Sequence, residues 1–74
     1  MSDNAIATNF MNFAQRVFQL DLPFTIEGNG DAGYAVANIT CFELGHYEKC
    51  IDLAKARDLK ARPFAEGISL VFES

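Results

Sequence analysis

Glu43, His46 and Cys50 stand at i, i+3 and i+7, so a helix through them carries a carboxylate, an imidazole and a thiol on one stripe. Imidazole and thiolate suit zinc. A structural zinc site takes four ligands, however, and this chain has a single histidine and no Cys-x-x-Cys pair. Cys41 precedes Cys50 by nine positions, about half a turn out of phase on a helix holding both. The two thiols should therefore neither share a metal nor join in a disulfide. Cys50 and His46 are i, i+4 neighbours, the spacing of a thiolate–imidazolium contact. A helix surface alone offers no cleft and no oxyanion donors, so no nucleophilic role follows. The carboxylates are scattered, with no pair enclosed for acid–base work. Gly28-x-Gly30-x-x-Gly33 matches the string that seats a dinucleotide pyrophosphate when it opens a helix. Here a strand pattern follows it, so the glycines read as a hairpin tip. No catalytic residue, cofactor or metal is expected, and the chain is read as a non-enzyme.

The elements that carry these residues follow from apolar periodicity. Ile6, Phe10, Phe13, Ala14, Val17 and Leu20 predict a first helix over residues 4–20, with Ser2 or Asp3 as N-cap. Ala7, Met11 and Phe18 widen its apolar face to about half the circumference. Residues 22–27 alternate as a strand, with Pro23 at its beginning because it lacks an N–H. Residues 33–40 form a second strand. Thr40-Cys41-Phe42-Glu43 has the spacing of a capping box and predicts a second helix over 41–59. Its inward stripe is Leu44, Tyr47, Ile51 and Ala54, with Cys50 alongside. Arg62-Pro63 ends the helical tendency, Phe64 plugs a core edge, and residues 67–73 form a third strand. In that strand Ile68, Leu70 and Phe72 point inward and Ser69, Val71 and Glu73 outward.

The expected fold is α+β: one domain over residues 1–74, in the order αββαβ, with two helices packed on one face of a three-stranded sheet. No internal repeat is visible. A type I′ turn at Asn29-Gly30 sets Ile26 opposite Gly33, Phe24 opposite Ala35 and Leu22 opposite Ala37. One sheet face then carries Leu22, Phe24, Ile26, Ala35, Ala37 and Ile39, and the other Thr25, Glu27, Tyr34, Val36 and Asn38. The third strand is expected beside the first, giving the order 2-1-3. A parallel place beside the second strand is the alternative.

Composition narrows the function. The chain has 74 residues, half of them hydrophobic, and a net charge of −4. An acidic chain lacks the excess of Lys and Arg that general nucleic-acid binding needs. No stretch approaches the roughly 20 apolar residues of a membrane span. Met-Ser-Asp-Asn lacks the basic segment of a signal peptide, and two cysteines are too few for a disulfide scaffold. A cytoplasmic protein with reduced thiols is the expectation. The charge is also unevenly spread. Acids dominate residues 1–48, where Arg16 is the one base, whereas Lys49, Lys55, Arg57, Lys60 and Arg62 cluster over 49–62.

A surplus of apolar surface is the main functional signal. Met11 and Phe18 lie at the first helix's margin, and Tyr34 and Val36 on a sheet face that the helices leave open. Together with the acids Glu27, Asp31, Glu43 and Glu48 they form the expected partner-binding set: apolar anchors beside carboxylates for a partner's Lys and Arg. In length, acidity and αββαβ order the chain resembles the small proteins of phages and other mobile elements, including inhibitors of CRISPR effectors. That resemblance implies a stoichiometric inhibitor occluding a surface of a nucleic-acid-handling host complex, binding protein rather than nucleic acid. Two alternatives are a structural or assembly protein that forms a homodimer through its open sheet face, and a small-ligand or phosphate binder at the glycine-rich hairpin.

Overall fold

Three segments with strand patterning, two with helical spacing and one short charged segment without a periodic pattern make up the described fold. The computed structural model describes residues 3–17, 19–29 and 34–73, with the side chains of Asp3, Asn4, Asn29 and Tyr34 outside that description. The elements are α1 (Asp3–Val17), β1 (Phe24–Asn29), β2 (Tyr34–Thr40), α2 (Leu44–Ala56), β3 (Lys60–Phe64) and β4 (Gly67–Glu73). The class is α+β, but the sheet has four strands, all antiparallel, in the order β1-β2-β4-β3. The expected three-stranded sheet in the order 2-1-3 is corrected on both counts.

The strand absent from the sequence reading is β3, Lys-Ala-Arg-Pro-Phe. It pairs with β4 alone and is an edge strand. Edge strands tolerate proline and favour short, charged sequences that discourage pairing with other chains. Those same features hide the strand from a periodicity test. Its presence also explains the order. The chain leaves α2 at the far edge, and a hairpin through residues 65–66 returns β4 between β3 and β2. Gly67 is required at that return. A Cβ there would fall 1.9 Å from the Ile39 carbonyl oxygen, where the Cys41 N–H also donates to the Glu66 carbonyl at 2.9 Å.

The β1–β2 register differs from the expected one. Ile26 faces Ala37 and Phe24 faces Ile39, not Gly33 and Ala35. The strands close at the Asn29–Tyr34 pair, so four residues link them in place of a two-residue turn. The shift is even, and every described side chain keeps its expected face. Ala35, Ala37, Ile39, Ile68, Leu70 and Phe72 therefore line one face, and all are buried.

Both helices bury against that face. From α1 come Ala7, Phe10, Met11 and Ala14, and from α2 Cys50, Leu53 and Ala54, all in one cluster with the inward strand residues. Alanines on both sides let α1 sit close to β2, and the Phe10 and Phe72 rings meet edge to face at 5.4 Å. Each helix is turned from its expected orientation. Ile6, Phe13 and Val17 are exposed on α1, as are Leu44 and Ile51 on α2, although all five were expected inward. The predicted capping box does not form. Thr40 ends β2, and Glu43 in extended conformation is itself the N-cap, without a side-chain cap bond. At the other end, Leu59 N–H reaches the Ala54 carbonyl at 2.8 Å and Asp58 N–H the Lys55 carbonyl at 3.3 Å. With Asp58 at φ 56°, this is a Schellman close.

The topology contains a duplication. The segment α1-β1-β2 and the segment α2-β3-β4 each form a helix followed by a hairpin. Their inner strands β2 and β4 pair about the central Ala37–Leu70 couple, which marks a pseudo-two-fold axis through the sheet. Ala35-Val36-Ala37-Asn38-Ile39 in one half corresponds to Ile68-Ser69-Leu70-Val71-Phe72 in the other. The inward and outward alternation is shared, but no corresponding position holds the same residue, so no repeat shows in the sequence.

Candidate protein-binding surface

The expected partner-binding residues do not converge. Met11 is fully buried in the core and is removed from the set, because it fills the space between α1 and the sheet. Phe18, Asp31 and the Tyr34 side chain lie outside the described residues. Glu27 is exposed and Val36 half-buried, both on the open sheet face. Glu43 and Glu48 are exposed at α2, on the helical side. The surface therefore divides into two regions.

The region at α2 gains its shape from the segment that joins β2 to the helix. Phe42 and Leu44 flank Glu43 there, exposed to 70 % and 74 %. Sequence reasoning placed both inside the second helix and missed them as surface anchors. The available signal was two large apolar residues set beside the helix's cap residue. Phe42 is held in place. Its N–H donates to Nδ1 of His46 at 3.1 Å, and its ring meets the imidazole edge to face at 6.2 Å. Nδ1 therefore carries no proton, and Nε2–H points to Glu43 Oε1 at 3.3 Å. The His46 N–H returns to the Glu43 carbonyl at 3.1 Å. A half-buried imidazole thus contacts both an exposed phenyl ring and an exposed carboxylate. Leu44, Glu48 and Ile51 continue along the same side of α2, at i, i+4 and i+7.

His46 is thereby used in the corner, and Cys50 turns away into the core. Among the described residues no three His, Cys, Asp or Glu side chains gather as a metal site. Cys41 corrects an expectation. It precedes α2 rather than lying in it; its thiol donates to the Ile39 carbonyl oxygen at 3.9 Å and lies beside that of Cys50. Both are free and buried. Burial pushes the Cys50 thiol up to about 12, with the Cys41 thiol adding to the rise. Burial likewise raises Cys41. The pair is a neutral core contact.

The basic cluster also divides. The Arg57 guanidinium lies over the Phe10 ring at 5.3 Å, tying the end of α2 to α1. Lys60 and Arg62 stand on β3, exposed on the open face. A recess of about 330 Å³ is bordered by Lys49, Asp52, Leu53 and Ala56 on the flank of α2 away from Leu44. No helix is long and apolar enough to cross a membrane among the described residues. No protein-family model matches the chain, and neither a curated protein nor a solved structure matches it.

Proposed function

We propose that the chain is a non-enzymatic protein-binding module whose principal contact is the α2 corner formed by Phe42, Glu43, Leu44 and Glu48. The observation that carries this reading is the Phe42 ring, 70 % exposed, in edge-to-face contact with His46 and borne on a backbone N–H that His46 accepts. A large aromatic side chain held in one position loses little conformational entropy when it enters a pocket, and such anchors dominate interface energies. Glu43 and Glu48 beside it favour a partner whose pocket is flanked by Lys or Arg. A basic surface of that kind is typical of proteins that handle nucleic acid. This agrees with the phage-type inhibitor reading, in which the chain occludes a functional surface of a host complex, a CRISPR effector being one such target. The support for that finer reading is length, acidity and charge complementarity, since the element order αββαββ differs from the αββαβ of the resemblance.

The test places a photo-crosslinking amino acid at position 42 and irradiates the chain in bacterial lysate. The expected result is one crosslinked, nucleic-acid-handling protein, competed away by the unlabelled chain and lost on Glu43→Lys/Glu48→Lys. Crosslinking that is diffuse, or indifferent to those charge reversals, overturns the reading.

A further inference from the structure

The sheet ends in two unlike edges. The β3 edge is guarded by Lys60, Arg62 and Pro63, which discourage a further strand. Between Phe24 and Gly28 the β1 edge has neither a proline nor a basic residue. One contact fixes which of its backbone groups are paired. Thr40 N–H donates to the Pro23 carbonyl at 2.9 Å, so these two residues form a directly bonded pair. Such pairs recur at every second residue of an antiparallel ladder. Thr25, Glu27 and Asn29 therefore bond to β2, and the N–H and C=O groups of Phe24, Ile26 and Gly28 point away from the sheet. Among the described residues no hydrogen-bond partner meets them. The edge is also accessible. Gly28 is exposed, and Phe24 and Ile26 are half-buried where they pack against the core. α1 packs mainly on β2, one strand in from the edge.

We propose that this edge pairs antiparallel with β1 of a second copy, about a two-fold axis through Ile26 and normal to the sheet. In that register the strand is complementary to itself. Ile26 opposes Ile26 of the other copy. Phe24 opposes Gly28, so an aromatic ring covers a residue without a side chain, a pairing that offsets the weakness of glycine in a strand. Each of these pairs exchanges two backbone bonds, and every outward group from Phe24 to Gly28 is used. On the opposite face Thr25 stands against the other copy's Glu27, so no like charges are opposed. Sliding the strands by one step either way is worse. One direction sets Glu27 against Glu27, and the other carries Gly28 beyond the end of the facing strand. A strand from another protein could satisfy the same backbone groups, but the Phe24–Gly28 match belongs to β1 itself. The contact closes at two copies, because each copy uses its one unguarded edge. A single strand pair is well below a standard interface, so the dimer is weak, with Kd on the order of 10⁻⁴ M. This edge is a different surface from the Phe42 corner, and the two stand or fall separately.

The test combines sedimentation equilibrium and amide hydrogen exchange on the full chain from about 10 μM to 1 mM. The weight-average mass should rise from 8.2 kDa toward twice that value. Over the same range exchange at the Phe24, Ile26 and Gly28 amides should slow about fourfold, whereas Thr25 and Glu27, already bonded to β2, should change far less. Thr25 is exposed, so charge can be placed there without disturbing the core. Thr25→Glu sets two repulsive pairs with Glu27 in each dimer and should weaken association about fivefold. Thr25→Lys should strengthen it, and adding Glu27→Lys to Thr25→Glu should restore it. A monomer throughout the range overturns the proposal and leaves the edge to a strand from another protein. An association indifferent to the charge at position 25, or one without slowed exchange at Ile26 and Gly28, overturns it as well.

Discussion

Phe42 and His46 are joined twice, by the hydrogen bond from the Phe42 N–H to Nδ1 at 3.1 Å and by an edge-to-face ring contact at 6.2 Å. The histidine thereby does what a capping-box glutamate does, accepting from a backbone donor ahead of the helix, but one residue further back. His46→Ala should lower stability by about 0.5–1 kcal/mol, because the bond is exposed and water replaces much of it. Urea unfolding should show a lower midpoint with unchanged slope. Hydrogen exchange at the Phe42 amide should accelerate about tenfold, since local opening frees that donor. Nitrogen NMR of the imidazole at neutral pH should report the Nε2–H tautomer.

Ser69 donates its hydroxyl to Asn38 Oδ1 at 2.6 Å across β2 and β4, and both side chains are buried. Ser69→Ala leaves that oxygen without its donor and should cost about 1–3 kcal/mol. Replacing both residues with Val removes the polar demand altogether and suits the strands. The double variant should therefore recover most of the loss. A double-mutant cycle by urea unfolding at low micromolar concentration measures the coupling, expected at about 1 kcal/mol or more.

The extent to which the sequence discloses this fold depends on what each residue's signal is local to. Period-two alternation assigns Ile26, Ala35, Ala37 and Leu70 to the inner face, and the structure agrees. The four-residue error in the partner of Ile26 is even and moves no side chain across the sheet. The order of strands is a tertiary property, and it was lost with β3, whose Lys60, Arg62 and Pro63 are edge-strand protection rather than loop chemistry. The helices were placed well and rotated wrongly. A helix apolar over half its surface does not state which half faces the sheet, and the small Ala35 and Ala37 favour Ala7 and Ala14 over Phe13 and Val17. The Phe42 corner was illegible for a related reason. Placing the start of the helix at Cys41 put Phe42 and Leu44 inside it, and nothing in spacing alone reveals that His46 serves the segment before it.

Asp58 closes α2 with φ 56°, a left-handed conformation that costs a residue with a side chain and that glycine adopts freely. Its carboxylate also stands at the negative end of the helix dipole. Asp58→Gly should raise stability by about 0.5–1 kcal/mol, while Asp58→Ala should not, because it keeps the strained backbone. Asp58→Asn removes the charge at nearly constant shape, so comparing the three midpoints in thermal or urea unfolding separates conformation from electrostatics.

Cys50 supplies a pH signature. Its thiol is fully buried and pushed up to about 12 from an ordinary 9.0, chiefly by burial and then by the adjacent Cys41 thiol. A folded pKa above the unfolded one means that the folded chain holds its proton where the unfolded chain has released it. The stabilising effect is complete below pH 9 and is lost as pH rises toward 12. Unfolding free energy should therefore fall through that window, and more steeply in the wild type than in Cys50→Ala, which lacks the group. The same burial keeps the thiolate from forming in the native state. At neutral pH an aromatic disulfide reagent should label Cys50 only at the rate of global opening, and added urea should accelerate labelling in parallel with unfolding. Labelling at the rate of a free surface thiol would show that the Cys41–Cys50 contact is open in solution.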